Sequence, residues 1–227
     1  MSERPIIMQA ESVLAILEGR KTQTRRVIKP QPRKRDYPIS VISPSLGDTE
    51  QVFRTWLDRT QDGKSACCED FNPDYWRCPY GLPGDLLWVK EALYREGWGI
   101  SNDAVAYKAD GEYAWDVTRP AQWVWKRDNL SPLFMPWGLR RLTLRLTDVR
   151  VQRVQEIEYD DCIAEGIEQR WTCLNPGIGS YAMDNDVLDD FASLWDSINA
   201  KRGYGWDTNP WVWALAFEIV HERKEQQ

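Results

Sequence analysis

Residues 19–26, with the sequence GRKTQTRR, contain the residue types from which an active site without a cofactor can be built. A lysine in a partly buried pocket can lose its proton near neutral pH and act as a base. Lys21 could in this way activate the hydroxyl of Thr24 as a nucleophile, and a carboxylate would complete the proton transfers. Strict strand alternation places Lys21 and Thr24 on opposite faces, so a shared site requires a bulge or an irregular turn. The same pattern is also typical of a polar entry into a strand.

Other common catalytic chemistries find little support in the composition. The chain has a single histidine, His221, which argues against Ser-His-Asp and Cys-His catalysis and against histidine-rich metal sites. Cys67, Cys68 and Cys78 form the only local cysteine cluster, and they lack the paired spacing of a zinc site. Neither a Walker loop nor a GxGxxG motif occurs. We therefore predict neither a metal nor a cofactor.

The distribution of charge is uneven along the chain. The formal net charge of −6 argues against binding to nucleic acid through overall charge. Residues 20–35 nevertheless contain eight basic residues and no acidic one. This stretch is either a phosphate-binding patch or a solvated basic loop. The 13 tryptophans could stack on bases, although aromatic side chains more often fill cores.

The length and composition indicate a globular chain that we expect to be cytoplasmic. At 227 residues, 42% of them hydrophobic, the chain can bury a sizeable core. The longest apolar runs, such as residues 211–217, are too short to span a bilayer, so no membrane partner is expected. The first residues lack an apolar export signal, and the odd number of cysteines, five, does not resemble a secreted disulfide framework. The expected location is therefore the cytoplasm, in a bacterial host cell.

The elements that would position residues 19–26 can be predicted from periodicity. Residues 13–17 have helical spacing and Gly19 can end that helix. Residues 142–146 alternate leucine with polar residues, the pattern of a half-buried strand, and a short helix is predicted over 158–165, ended by Gly166. A second amphipathic helix spans 188–198, with Asp186 as N-cap. Residues 211–220 predict a central strand that is covered on both faces.

Three long segments interrupt these elements. Residues 29–83, 109–134 and 168–185 show little periodicity, and they are predicted to be insertions or loops. Residues 29–83 are expected to hold one or two minor elements, such as a strand at residues 39–42. Strands interleaved with a few short helices indicate an α+β barrel or a small mixed sheet. The spacing alone does not choose between these two.

Four blocks of the sequence resemble the ASCH family. Residues 16–26 (ILEGRKTQTRR) resemble its opening signature, a helix that runs into G-[RK]-K-T-x-T-x-R. Residues 80–91 (YGLPGDLLWVKE) resemble its G-D turn and the following strand. Residues 144–167 are similar to its next strand and helix, and residues 211–219 to its closing strand. The whole chain is similar to long ASCH proteins of phages and prophages. This resemblance implies a single PUA-like mixed β-barrel domain over residues 1–227, with the three insertions.

The resemblance also implies an activity. Small bacterial members of the family include amidohydrolases that cleave N4-acetylcytidine to cytidine and acetate. Carried over by motif, their catalytic lysine, threonine and glutamate fall on Lys21, Thr24 and Glu165, and Arg26 matches the signature arginine. The chain departs from these enzymes in being about twice as long. It also has Arg25 where small members often have an apolar residue.

Further residues are predicted to contact a substrate. These are Arg20, Arg26 and Glu91, which lie in the matched blocks, and Trp206, which lies beside a glycine-rich loop. Three functions stay open at this point. They are an amidohydrolase acting on a modified nucleoside, a non-catalytic reader of RNA or modified DNA, and a phage accessory protein that binds an unidentified protein. The expected partner is a modified nucleoside or a single-stranded nucleic acid.

Overall fold

The computed structural model describes residues 3–32, 39–42, 52–55, 75–98, 102–116, 119–169, 171–175, 180–183 and 186–222. Over these residues the chain is an α+β protein with one mixed sheet, smaller antiparallel sheets and few helices. None of the helices there is long and apolar enough to cross a membrane. The helices are α1 Ala10–Leu17, α2 Tyr159–Ala164 and α3 Val187–Asn199, with 3-10 helices at Pro132–Phe134, Trp137–Leu139, Val154–Glu156, Ala200–Arg202 and Trp206–Thr208. The strands are β1 Glu3–Ile7, β2 Gln23–Val27, β3 Ile39–Ile42, β4 Val52–Thr55, β5 Tyr75–Arg77, β6 Leu86–Lys90, β7 Leu93–Trp98, β8 Asn102–Tyr107, β9 Trp115–Asp116, β10 Arg119–Pro120, β11 Asn129–Leu130, β12 Leu142–Arg153, β13 Trp171–Asn175, β14 Ser180–Met183 and β15 Trp211–Glu222.

The largest sheet has the strand order β1-β6-β12-β15-β2. β1 and β6 run parallel, and the other neighbours are antiparallel. Leu142, Leu144 and Leu146 of β12 are buried in the main core, which confirms the predicted alternating strand. β15 lies between β12 and β2, and nearly all of its residues from Trp211 to Phe217 are buried. The predicted central strand is therefore also confirmed.

The two edge strands of this sheet, β1 and β2, line the same cavity. Pro5 and Ile7 contribute from β1, and Thr24 and Arg26 contribute from β2. The Arg26 guanidinium connects the two edges, because its Nη2 donates a hydrogen bond to the backbone oxygen of Ile7 at 2.5 Å. The sheet therefore curves around a cavity at the gap between its edges.

α2 and α3 pack together beside β2 and β15. Asp186 caps α3 by accepting a hydrogen bond from the Leu188 amide at 3.0 Å, which confirms the predicted helix and its N-cap. α2 ends one residue before Glu165, and Gly166 follows with a φ of +93°, as the sequence predicts for a helix stop. The core that joins these helices to the sheet contains Val154, Ile157, Cys162, Val187, Phe191, Trp195 and Val212.

A second lobe, residues 91–141, is built on the antiparallel sheet β11-β7-β8. It has a separate apolar core. The rings of Trp123 and Trp125 pack edge to face there, with their centroids 4.9 Å apart. The core consists of Leu93, Val105, Tyr107, Ala114, Trp123, Leu130 and Met135.

The structure corrects the predictions for two of the three long segments and extends the third. Residues 109–134, predicted to be irregular, contain the short strands β9, β10 and β11, which are too short to show a period in sequence. Residues 168–185 were predicted to form a loop, but β13 and β14 pair as an antiparallel hairpin. The prediction was wrong because the strands are only five and four residues long, so the turn-forming residues between them dominated the pattern. The strand predicted at residues 39–42 is confirmed as β3, and it pairs with β4 in a three-stranded sheet that also contains β5. Residues 33–38, 43–51 and 56–74 of the predicted insertion lie outside the described residues.

Candidate active site

The position of Lys21 is set by the end of α1. The Arg20 amide donates to the Ala15 oxygen and the Gly19 amide donates to the Ile16 oxygen, each at 2.9 Å. With Gly19 in the left-handed region at φ +74°, this is a Schellman motif, which turns the chain sharply as the helix ends. Lys21 therefore lies in an irregular turn before β2 begins, and the alternation of a strand does not determine where its side chain points.

The position of Glu165 is set by a second turn of the same kind at the end of α2. The Gly166 amide donates to the Ile163 oxygen at 2.8 Å, and the Ile167 amide donates to the Cys162 oxygen at 3.2 Å. The two turns touch each other: a Cβ added at Gly166 would lie 3.3 Å from the Lys21 Cβ. Two helix ends that are far apart in sequence thus bring Lys21 beside Glu165.

Lys21 and Glu165 form a buried ion pair. The Lys21 Nζ lies 2.7 Å from Glu165 Oε2 and 2.6 Å from the Glu165 backbone oxygen, and the two side chains are only 4% and 6% exposed. Burial lowers the pKa of Lys21, and the nearby Glu165 carboxylate opposes that effect without cancelling it. Lys21 therefore gives up its proton more readily than a lysine in water, which is the property required of a base.

A second carboxylate and an arginine complete this cluster. Asp161 lies one helical turn before Glu165, so both carboxylates are on the same face of α2. Arg25 bridges them, with Nη1 3.2 Å from Glu165 Oε1 and Nη2 2.6 Å from Asp161 Oδ2. Gln23 and Arg150 donate to the other Asp161 oxygen at 3.0 and 3.1 Å. Burial would raise the pKa of Asp161, but the hydrogen bond from Gln23 and the charges of Arg25 and Arg150 outweigh it and lower that pKa.

The cluster opens into a cavity of about 630 Å³, a size typical of small-molecule sites. Lys21, Thr24 and Glu165 all line it. Thr24 is on the central part of β2, opposite Leu215 of β15, and only 5% of it is exposed. Among the described residues its hydroxyl has no hydrogen-bond partner, so it is free to act on a ligand in the cavity.

The walls of the cavity are cationic and aromatic. Six basic side chains line it, whereas Glu165 is the only acidic one among the described residues. The basic residues are Lys21, Arg25, Arg26, Lys29, Arg77 and Arg202, and the aromatic residues are Tyr80, Phe191, Trp195 and Trp213. Such walls suit a ligand that combines negative charge with a flat ring.

Three of the residues predicted to contact a substrate lie outside this cavity. Arg20 is on the surface, where it pairs with Glu18 and, at 3.4 Å, with Glu168. The Glu91 carboxylate is completely buried and bound to Arg141. Trp206 packs on Phe191, with ring centroids 6.0 Å apart. Of the four predicted contacts, only Arg26 is on the cavity wall.

Several residues of the site were not predicted from the sequence. Asp161 could have been recognised because it precedes Glu165 by four residues in a predicted helix. Gln23 alternates with Arg25 on β2, and that alternation places both side chains on the face that meets α2. No local signal points to Arg202 or Trp195, which reach the cavity through the packing of α3.

Cys78 and Cys162 are buried thiols that do not provide a nucleophile near neutral pH. Burial raises the pKa values of Cys78 and Cys162 to about 11, so neither thiol ionises near neutral pH. Among the residues that the structure describes, no group of three histidine, cysteine, aspartate or glutamate side chains is arranged to hold a metal ion.

No protein-family model matches the chain, and neither the curated proteins nor the solved structures give a significant match. The function must therefore be inferred from the site itself and from the sequence motifs.

Proposed function

We propose that the chain is a PUA-like protein of the ASCH family and that it hydrolyses the amide bond of an acylated nucleobase, such as N4-acylated cytosine. The observation that supports this is the meeting of Lys21, Thr24 and Glu165 on the wall of one cavity. The sequence motifs single out these three residues, although Glu165 is more than 140 residues away from the other two. Their convergence supports the motif assignment independently of the sequence pattern.

The proposed first step forms an acyl-enzyme. Lys21, as the free amine that its lowered pKa favours, takes the proton of the Thr24 hydroxyl. The Thr24 oxygen attacks the acyl carbon, whose carbonyl oxygen gains the negative charge. The C–N bond then breaks, and the cytosine amine leaves with the proton that Lys21 had taken.

Water completes the cycle in the second step. Lys21 takes a proton from a water molecule, which attacks the ester carbon and releases the carboxylic acid, and the proton returns to Thr24. The balance is one amide and one water converted to one carboxylic acid and one amine. Glu165 holds the Lys21 amine in place through both steps and stabilises its protonated form, because the carboxylate lies 2.7 Å from the Nζ.

A chromatographic assay tests this proposal. N4-acetylcytidine, longer N4-acyl cytidines and their 5′-monophosphates are incubated with the wild-type protein, Lys21→Ala and Thr24→Val. Release of the free amine by the wild type, with a loss of about a hundredfold or more in each variant, is expected. Arg145→Ala is the control, since Arg145 is partly exposed, pairs with Glu218 and lies outside the cavity. Equal release by wild type and Lys21→Ala, or no release from any substrate by folded protein, contradicts the proposal.

The cationic and aromatic walls favour a second candidate, a reader of nucleic acid without catalysis. A reader binds oligonucleotides through phosphate contacts and base stacking, so its affinity falls steeply with salt. Binding that survives Lys21→Ala, without any product in the hydrolysis assay, would favour this function.

A further inference from the structure

The charges on the cavity wall are balanced at its inner end and unbalanced elsewhere. Lys21 and Arg25 face two carboxylates, Glu165 and Asp161, at hydrogen-bond distances. Further along the wall are Arg26, Lys29 and Arg202. Arg26 donates to the backbone oxygen of Ile7, Lys29 lies over the Tyr204 ring at 5.1 Å, and Arg202 follows the end of α3. Within the part of the chain that the structure describes, none of these three cations pairs with a carboxylate.

This local excess of positive charge is not a consequence of composition. The whole chain has six more acidic than basic residues, so basic side chains on an average surface would find acidic partners readily. The unpaired cations instead share one cavity, and burial lowers the pKa of Arg26, with the nearby Arg202 charge adding to that effect. Like charges on one wall repel one another, and an anion bound between them would remove that repulsion.

We infer that the ligand of this cavity carries a phosphate group, bound by Arg26, Lys29 and Arg202. The substrate is then an acylated nucleotide, free or within a single strand, and not a free nucleoside. The identity of the base rests on the proposed function. A guanidinium has several donors in one plane and suits phosphate oxygens, and Arg26 has only one of its terminal nitrogens engaged with the protein.

The geometry of the cavity agrees with a nucleotide. Its volume of about 630 Å³ lies within the range for small-molecule sites. The tryptophans Trp195 and Trp213 and the ring of Tyr80 provide apolar wall for a base. The unpaired cations line the same cavity, and Arg26 lies beside Trp213 across the β2–β15 pair and two residues along β2 from Thr24. A neutral nucleoside would use the apolar wall and leave the cations without a counter-charge.

Isothermal titration calorimetry at low salt tests the inference. Wild-type protein is titrated with cytidine, cytidine 5′-monophosphate and a cytidine trinucleotide. We expect a phosphorylated ligand to bind about tenfold or more tightly than cytidine, the usual scale for hydrogen bonds to charged groups. Tighter binding of the monophosphate identifies a terminal phosphate, and tighter binding of the trinucleotide identifies an internucleotide one. Arg202→Gln and Lys29→Gln should each remove most of this preference, because both side chains are exposed and their replacement should leave the fold intact.

Arg145→Gln is the matched control, since it removes one partly exposed positive charge outside the cavity. Its preference for phosphate should equal that of the wild type. Equal affinity for cytidine and its monophosphate, or an unchanged preference in Arg202→Gln and Lys29→Gln, overturns the inference. Hydrolysis without any phosphate preference leaves the proposed function intact and removes this inference. A phosphate preference without hydrolysis supports the inference for a binding protein and removes the catalytic proposal.

Discussion

Two buried clusters of cations and carboxylates occur among the residues that the structure describes, one beside the cavity and one in the second lobe. In the second lobe Arg141 donates to both oxygens of Glu91 at 2.9 and 2.7 Å and to Asp110 at 2.6 Å. Its guanidinium also lies 4.0 Å from the centre of the Tyr107 ring. All three nitrogens of Arg141 are therefore engaged with carboxylates, and none of these residues lines the cavity beside Lys21.

The comparison shows that burial and ion pairing do not by themselves identify a catalytic group. Burial disfavours the charge of Arg141, but the hydrogen bonds and charges of Glu91 and Asp110 outweigh it and raise the pKa of Arg141. At Lys21 burial prevails over Glu165 and lowers the pKa. The cluster of Arg141, Glu91 and Asp110, here called the closed cluster, thus keeps the charge of Arg141, and we expect it to support the fold. In the cluster beside the cavity, burial lowers the pKa of Lys21, and both Lys21 and Glu165 line the cavity.

The largest effect on stability is expected from breaking the closed cluster. Arg141→Met leaves Glu91 as a buried carboxylate without its partner, which typically destabilises a protein by about 3–5 kcal/mol. Urea denaturation followed by circular dichroism measures this change in the free energy of unfolding. Arg145→Met, at a partly exposed pair, should change it by less than about 0.5 kcal/mol. If the two variants are equally stable, the cluster does not support the fold in the way that the comparison requires. Loss of hydrolysis in the folded fraction of Arg141→Met would instead favour the predicted role of Glu91 in substrate binding.

The next largest effect concerns the proton on Lys21, in the cluster beside the cavity. Lys21→Arg keeps the positive charge beside Glu165 but replaces the base by a group that does not lose its proton in proteins. We expect the rate of hydrolysis to fall by about a hundredfold or more, equivalent to about 3 kcal/mol or more in the activation free energy. A variant that retains more than about a tenth of the wild-type rate would show that Lys21 acts through its charge alone, as Arg141 does.

The pH dependence of the hydrolysis rate and of stability, compared between the wild type and Lys21→Arg, sharpens this test. In the wild type the rate should rise with pH through the lowered pKa of Lys21, because the free amine is the reactive form. Stability should rise over the window from that lowered pKa to the usual value for lysine, since the unfolded chain still binds the proton that the folded chain has lost. Lys21→Arg should show neither rise. A parallel rise in both proteins would assign the titration to another group.

Periodic elements could be predicted from the sequence, whereas the pairing of distant charges could not. β12, α3 and β15 have regular patterns of buried residues, so both their existence and their buried faces were predictable. Glu91 and Glu165 look alike in sequence, because each is a carboxylate near the C-terminal end of a motif block. Their environments differ because one meets an arginine 50 residues away and the other a lysine 144 residues away. Only the folded chain shows which of these pairs lies open to a cavity.

A smaller effect is expected from replacing a glycine of positive φ by alanine, either beside the cavity or in the second lobe. Gly166 has φ +93° and Gly111 has φ +81°, so an alanine at either position should destabilise the fold by about 1–2 kcal/mol through backbone strain. Around Gly111 the nearest atom to an added Cβ is the Tyr94 hydroxyl at 3.5 Å, an ordinary contact. At Gly166 the added Cβ would be 3.1 Å from Ala15 and 3.3 Å from Lys21, so the two helix ends must separate.

Gly166→Ala should therefore reduce the rate of hydrolysis by about tenfold, because catalysis depends on placement within about an ångström, while Gly111→Ala leaves the rate unchanged. Thermal denaturation checks the shared loss of stability, and steady-state kinetics at a temperature where both variants are folded checks the difference in rate. Equal rates in the two variants would mean that the contact between the helix ends does not hold Lys21 in its catalytic position. In that case the ion pair with Glu165 alone would set the position of the lysine, and the turn at Gly166 would serve the fold in the same way as the turn at Gly111.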